Sequence, residues 1–291
     1  MHRARYNALH LVVHLRPKGP LLIKSGAISA DPSLPDMQFV RTYHPERGET
    51  IYIPGSSLKG VVRGFIEKVL RTLDQPNSWR WACGTFDANS CGRKWHEAEV
   101  PSSRIYRESC GACRMFGHTR LRGRVSFTDF FPVSNVKTEI RYGVAISRLS
   151  HAVAQGPFEM EAVVSGVFEG HLLLENFELW QLALLSLALS SMESGLVKVG
   201  YGKNRGFGEV TVQVQEATLD EVARDFKPDV WRGTGALLDQ GVCKDYGLYE
   251  PHLVEGLPNP ARQDDLALYV RRRYDAQLWA NAIARLLRAV A

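Results

Sequence analysis

The sequence predicts an α+β fold with a ferredoxin-like βαββαβ core. Segments with the alternating pattern of strands and segments with helical periodicity follow one another as strand, helix, three strands, helix and strand. The 291 residues, 45% of them hydrophobic and 23% charged, suffice for a sizeable core. No apolar run has the length of a membrane helix, and the start lacks the apolar region of a signal peptide, so we expect neither a membrane protein nor a secreted one.

The first strand is predicted at residues 8–15, where Val, Leu and His alternate until Pro17 and Gly19 end the pattern. Residues 24–50 are rich in Gly, Ser, Asp and Pro and show little periodicity. A loop of this length inside a compact domain is more often functional than accidental.

The first helix is predicted from the segment IYIPGSSLKGVVRGFIEKVLRTL. Pro54 and Gly55 end a short strand, and Ser56 or Ser57 can cap the helix that follows. The apolar residues then recur at the three- and four-residue spacing of an amphipathic helix: Leu58, Val61, Val62, Phe65, Ile66, Val69 and Leu70.

Lys59 and Arg63 are four residues apart and therefore share one face of this helix. Two cations beside the free amides of a helix N-terminus make an anion site, which suits a phosphate. The alternative is that the pair only solvates the outer face of the helix.

Residues 76–124 break the strand and helix patterns and indicate an insertion. Four of the five cysteines of the chain fall there, with the spacing C-x7-C-x18-C-x2-C: Cys83, Cys91, Cys110 and Cys113. This set predicts a tetrahedral zinc site, which is structural because four protein ligands leave no open position. The alternatives are His96 in place of Cys91, a redox C-x-x-C pair, or four unrelated core cysteines.

Three further strands are predicted at 124–133, 139–148 and 161–177, and the polar gap at 149–160 indicates a protruding hairpin. The second helix, 177–191, is apolar on nearly all sides and should be buried.

A loop with five glycines follows the second helix and carries Lys198, Lys203 and Arg205 before another strand. Such a loop can wrap a phosphate, although a tight turn is the simpler interpretation. Beyond Pro228 the pattern is irregular to about Pro260, and residues 266–290 are predicted to form an amphipathic helix.

The charge of the chain is unevenly distributed. The net charge is +5, and the segment 104–124 contains six arginines and only one acid, Glu108. This clustering is typical of a protein that binds a phosphate backbone. A basic surface that is merely solvated is the alternative.

Four segments together resemble one family: IPGSSLKGVVRG (53–64), RVSFTDFF (124–131), AISR (145–148) and VGYGKNRGFGEV (199–210). They are similar to the backbone subunits of type III CRISPR effector complexes, in the RAMP (repeat-associated mysterious protein) superfamily. The resemblance covers most of residues 8–214 and is specific in the combination of IPGSSLKG with the late glycine loop.

The resemblance implies a modified RNA-recognition-motif fold that polymerises along a CRISPR guide RNA. It implies a RAMP domain at 1–214, which contains a zinc-binding insertion at 76–123 and a thumb hairpin at about 148–160. Residues 215–291 are then a C-terminal extension with a terminal helix. The implied partners are guide RNA, complementary target RNA, other CRISPR effector subunits and copies of the chain itself, with no membrane, in a prokaryotic cytoplasm.

The resemblance also assigns residues to RNA. The first helix and the glycine loop of the family contact the guide backbone, and the thumb separates bases of the guide–target duplex. The implied RNA-binding residues are Ser56, Ser57, Lys59, Arg63, Arg41, Arg148, Lys203 and Arg205.

Target cleavage in the family depends on an aspartate in the loop before the first helix. The segment DMQFVR matches the Asp-x-x-hydrophobic-x-Arg pattern and selects Asp36, with Arg41 nearby and Asp31 as the second choice. The implied chemistry is attack by the 2′-hydroxyl of the target or hydrolysis assisted by a divalent cation such as Mg²⁺. Two alternatives are an inactive guide-binding scaffold and a stand-alone guide-processing endonuclease, for which His44 is the candidate before the helix.

Overall fold

The computed structural model of the chain describes residues 3–26, 33–95 and 99–290. An antiparallel sheet forms its centre, and three long helices cover one face of that sheet. The helices are α1 (Gly55–Leu73), α2 (Ser102–Arg107), α3 (Gly111–Phe116), α4 (Leu179–Glu193), α5 (Thr234–Leu237), α6 (Gln240–Tyr246) and α7 (Ala276–Val290). The strands are β1 (Asn7–Pro17), β2 (Arg41–His44), β3 (Gly48–Ile51), β4 (Gly117–His118), β5 (Leu121–Arg122), β6 (Val125–Phe127), β7 (Phe131–Pro132), β8 (Lys137–Ile146), β9 (Val153–Ser165), β10 (Phe168–Glu175), β11 (Val210–Val222), β12 (Trp231–Arg232), β13 (Leu253–Val254), β14 (Arg262–Asp265) and β15 (Tyr269–Asp275).

The main sheet has the strand order β14-β15-β11-β1-β10-β6, and β7 also pairs with β10. The four neighbouring strands β11-β1-β10-β6 are antiparallel, with α1 following β1 and α4 following β10. This arrangement is consistent with a ferredoxin-like core, so the predicted α+β class is confirmed.

Hydrophobic patterning explains how the layers assemble. In β1 the alternate residues Leu9, Leu11, Val13 and Leu15 are buried, while the residues between them are turned to the opposite face. The buried residues of α1 follow helical spacing, and α4 is buried on most sides, as predicted: Leu58, Val62, Ile66, Leu70, Leu182, Leu185, Ala188 and Met192. No helix of the described residues combines the length and apolarity that a membrane span needs.

The hairpin is longer than predicted. Strands β8 and β9 pair from Lys137 to Ser165, and Arg148 lies in the turn between them rather than at the start of the hairpin. The predicted single strand 161–177 is therefore two strands, β9 and β10. Gly166 separates them with φ +140°, and a Cβ there would lie 2.8 Å from Val136 Cγ2, so the break requires glycine.

The predicted loop 24–50 contains a short hairpin, because β2 pairs with β3. The predicted helix at 266–290 is wrong in its first part. Residues 269–275 of this segment form β15, which pairs with β11, and α7 begins only at Ala276. Val270 and Tyr274 fit both a helical and a strand spacing, and the buried Arg272 between them shows that the strand spacing applies. The predicted domain boundary at residue 214 falls inside β11.

Candidate functional site

The four cysteines of the insertion converge on one point. Their sulfur atoms all lie within 4.8 Å of one another, with Cys110 and Cys113 at 3.7 and 3.8 Å from Cys83. A tetrahedron of four thiolates with zinc–sulfur bonds of about 2.3 Å has sulfur–sulfur distances of about 3.8 Å. The cluster can therefore hold a metal ion such as zinc, and four unrelated core cysteines are excluded. His96 lies outside the described residues.

Local backbone geometry holds this cluster. Cys110 caps α3, and its sulfur accepts the N–H of Cys113 at 3.4 Å. A Cβ on Gly111 would lie 2.1 Å from the carbonyl oxygen of Trp79, so only glycine fits directly after Cys110. The sulfur of Cys91 accepts the N–H of Cys110 at 3.3 Å. The hydrogen bonds among the four sulfurs lower the pKa of the Cys83 and Cys91 thiols and raise that of the Cys110 and Cys113 thiols.

The N-terminus of α1 differs from the prediction. Pro54 stands at the capping position, and Ser56 and Ser57 lie inside the first turn, where neither side chain caps the helix. The N–H of Gly55 donates to Asp129 Oδ1 at 2.8 Å. A carboxylate of the protein itself thus occupies part of the predicted phosphate site.

A basic cleft of about 680 Å³ separates α1 from the glycine loop. Three lysines line it, Lys68 from α1 with Lys198 and Lys203 from the loop, and none of the described residues that line it is acidic. Gly60 and Gly64 lie on the side of the cleft that α1 forms. A Cβ at either position would meet only open space, so the absence of side chains there leaves the cleft wider. The cleft therefore has the open volume and the charge that suit a polyanion.

The glycine loop is fixed against the segment that follows β1. The N–H of Tyr201 donates to the carbonyl of Leu22 at 2.7 Å, and that of Gly208 donates to Pro20 at 2.9 Å. Gly200 has φ +79°, and a Cβ there would lie 2.3 Å from the Leu22 carbonyl oxygen.

Basic residues follow along the same loop. Lys203 and Arg205 lie in a single 3₁₀ turn, and both are exposed.

Lys59 and Arg63 share one face of α1, as predicted, and both are half-buried. Burial lowers the pKa of Lys59, and the neighbouring guanidinium lowers it further. Arg63 donates to Glu67 Oε1 at 2.8 Å, to the carbonyl of Gly117 at 3.1 Å and to the sulfur of Cys113 at 3.8 Å. These contacts turn its guanidinium toward the insertion.

Asp36 and Arg41 both lie at the base of the hairpin β8–β9. Asp36 is exposed, and its Oδ2 accepts the N–H of Glu159 at 2.9 Å. Arg41 makes a two-pronged ion pair with Glu161, at 2.8 and 2.5 Å. Burial opposes ionisation of Glu161, but hydrogen bonds from Arg41 and from the Phe39 amide outweigh it and lower the pKa. Asp31 lies outside the described residues.

Residues 14–211 match the family model of the RAMP superfamily, which covers more than half of the chain. The chain belongs to the RAMP superfamily. Membership indicates a CRISPR-associated, RNA-binding role with partners in CRISPR complexes. No curated protein matches the chain.

The hairpin of this RAMP protein carries an exposed apolar face. Arg148 is exposed in its turn, and Leu149 beside it is 94% exposed. The other exposed apolar side chains of the hairpin are Ile140, Tyr142, Val144, Ile146 and Val153.

Several residues of the RAMP site are not among those assigned from the sequence. Lys68 and Lys198 line the cleft, Asp129 fills the helix N-terminus and Glu161 binds Arg41. The basic stretch on α1 and the glycine loop could have suggested the lysines, but no local pattern pairs a distant carboxylate with its partner. His44, the candidate for the processing endonuclease, packs edge-on against Phe131 at 4.8 Å between ring centres.

Proposed function

We propose that this RAMP protein is a guide-RNA-binding backbone subunit of a type III CRISPR interference complex and that it cleaves complementary target RNA. The observation that carries the proposal is the lysine-lined cleft between α1 and the glycine loop. These two elements are far apart in sequence, and both belong to the segments that resemble the family. A row of cations without acids suits a phosphate backbone, because each neutralised phosphate releases counterions.

The guide backbone runs along this cleft in the proposal. Lys68, Lys198 and Lys203 bind phosphates inside it, and Arg205 extends the basic surface along the loop. The hydroxyls of Ser56 and Ser57 and the ammonium of Lys59 add contacts near the start of α1. Arg63 is turned toward the insertion, where it donates to the sulfur of Cys113, and it is not among the proposed guide contacts.

The hairpin β8–β9 acts as the thumb that separates bases of the guide–target duplex. Its exposed face carries Tyr142, Ile146 and Leu149, side chains that can pack against unstacked bases, and Arg148 at the turn can contact phosphate. An isolated two-stranded hairpin is marginally stable in water, so packing against RNA or a neighbouring subunit would order it.

Asp36 is the proposed general base. The target 2′-hydroxyl attacks the adjacent phosphorus, its proton passes to the Asp36 carboxylate, and the 5′-oxygen leaves with a proton from water. This leaves a 2′,3′-cyclic phosphate and a 5′-hydroxyl. Unstacking by the thumb supports in-line attack. The alternative chemistry is hydrolysis assisted by a divalent cation such as Mg²⁺, which the Asp36 carboxylate would help to hold.

Zinc in the cysteine cluster is the proposed structural ion. The residues fit it, because four sulfurs lie within one coordination sphere. Zinc bound there would fold the insertion and supply no chemistry to the RNA. Arg41 supports the hairpin base through Glu161 and can reach RNA only beside that ion pair.

The cleft is tested by the salt dependence of RNA binding. The variant Lys68→Gln/Lys198→Gln/Lys203→Gln should lower the slope of log affinity against log salt by about 2 for single-stranded RNA. The matched control removes three exposed cations elsewhere, as Lys227→Gln/Lys244→Gln/Arg288→Gln, and should leave the slope unchanged.

Two results would overturn the assignment. One is equal slopes for the cleft variant and the control variant. The other is purified protein without small RNAs that share a repeat-derived 5′ sequence.

A further inference from the structure

Three charged residues on α1 stand one turn apart and form a continuous ladder: Arg63, Glu67 and Arg71. Glu67 bridges the two arginines, with Oε1 at 2.8 Å from Arg63 Nε and Oε2 at 3.0 Å from Arg71 Nη2. The Glu67 side chain is only 12% exposed. A carboxylate so placed fixes both guanidinium groups.

Each arginine of this ladder reaches the cysteine cluster. Arg63 Nη2 lies 3.8 Å from the sulfur of Cys113, and its Nη1 donates to the Gly117 carbonyl at 3.1 Å. Arg71 donates to the carbonyl of Cys83 at 3.0 Å. Cys83 and Cys113 come from opposite ends of the insertion, so the ladder holds the two halves of the ligand set together.

Charge explains why a cation stands there. Four thiolates around a divalent ion carry a net charge of −2, and three of the four cysteines are buried. A guanidinium beside a thiolate sulfur offsets part of this charge. Groups that hydrogen-bond to metal ligands orient them and tune the metal.

We propose that the ladder is the outer shell of the metal centre. Arg63 stabilises the Cys113 thiolate, Arg71 fixes the backbone of Cys83, and Glu67 holds both arginines in place. The inference rests on the proposed zinc site. Under this proposal Arg63, Glu67 and Arg71 are positioning residues. Arg63 then contacts the metal centre and not the guide RNA.

The consequence is that α1 serves two sites. Gly60, Gly64 and Lys68 form one wall of the RNA cleft, while Arg63 and Glu67 support the metal centre. The two functions are therefore separable by substitution on one helix.

The test uses the purified full-length protein and measures zinc transfer to a chromophoric chelator. Glu67→Gln keeps the shape of the side chain but removes its charge, and it should weaken zinc affinity about tenfold or more. Lys68→Gln, the adjacent residue on the cleft side, is the control and should retain zinc like the parent protein. Arg71→Gln is a milder second variant for the case in which Glu67→Gln folds poorly.

A spectroscopic measurement separates positioning from simple packing. In protein loaded with Co²⁺, Arg63→Gln should shift the sulfur-to-metal charge-transfer band, because the Cys113 thiolate loses a cation. Arg63→Lys, which retains a charge, should recover part of that shift. The salt slope of RNA binding should be the same for Arg63→Gln and the parent protein.

The outcomes are distinguishable. Parent protein without zinc would overturn the proposed metal site and the ladder with it. Zinc-loaded parent protein with unchanged transfer in Glu67→Gln and Arg71→Gln, or an unshifted band in Arg63→Gln, would overturn the ladder alone. A smaller salt slope of RNA binding in Arg63→Gln would show that Arg63 contacts the guide RNA and would contradict its assignment to the metal centre.

Discussion

The cysteine insertion and the hairpin β8–β9 are both additions to the same sheet core, yet they place their side chains differently. The insertion buries a charged side chain, Arg114, among partners, whereas the hairpin exposes large apolar side chains. Its buried Arg114 donates to the carbonyls of Arg107 and Gly247 at 2.7 and 2.8 Å, and its guanidinium lies over the rings of Tyr106 and Tyr249.

The hairpin turns its apolar groups outward. It is joined to the core through Asp36 and Arg41, which contact β9, and it exposes Tyr142 and Leu149. The insertion therefore pairs its buried cation, Arg114, with groups of the chain itself. The hairpin leaves several large apolar side chains exposed, which is typical of a binding surface.

The largest expected effect is on the insertion. Cys113→Ser should abolish zinc binding and cost at least about 4 kcal/mol of unfolding free energy, because loss of a structural metal is among the most destabilising changes. Metal analysis and thermal unfolding measure both effects. Cys243→Ser removes the cysteine that lies outside the cluster and should change neither. Unchanged zinc content in Cys113→Ser would break the comparison at once.

The next effect concerns cleavage at the hairpin base. Asp36→Ala should slow target cleavage by the assembled complex about 10³-fold, which is a typical contribution of a general base, while guide binding persists. Asp36→Asn keeps the acceptor for the Glu159 amide and should be equally slow. If both variants cleaved the target at the parent rate, Asp36 would not be part of the cleavage site. If only Asp36→Ala lost cleavage, Asp36 would have a structural role.

Glu161 sharpens the comparison through pH. Its pKa is lowered in the folded protein, so its contribution to stability is complete above its ordinary value of 4.5 and is lost as the pH falls through the lowered pKa. Glu161→Gln should cost about 2 kcal/mol at pH 7. Amide hydrogen exchange of residues 137–165 measures this loss of local stability. In Glu161→Gln, the protection of these amides should no longer decrease as the pH is lowered into the acid range. If protection in the parent protein depended on pH in the same way as in Glu161→Gln, the stabilising role assigned to the Glu161 carboxylate would be wrong.

The smallest effect is expected on the open face of the hairpin. Tyr142→Ser should leave the unfolding temperature nearly unchanged, because the side chain is 67% exposed. It should weaken binding of a guide–target duplex by about 1–2 kcal/mol through lost stacking. Thr138→Ser, on the same strand, is a control of similar exposure. Equal duplex binding by both variants would mean that this face does not pack on bases.

The sequence by itself located the main strands and helices of the core. Periodicity of two and of 3.6 residues is a local property, and it located β1, α1 and α4, while the spacing of the cysteines located the cluster that can hold a metal ion. The same reasoning failed at residues 266–275, where both periods fit the apolar positions and only pairing with β11 decides.

Only the tertiary structure decided how charges are distributed between the two sites. Lys59 and Arg63 share a face, but whether that face meets RNA or the insertion depends on where the insertion folds back. Asp129 at the start of α1 and Glu161 beside Arg41 come from distant segments. A charged side chain takes its role from the nearest opposite charge in space, because electrostatic attraction depends on distance in the folded chain and not along the sequence.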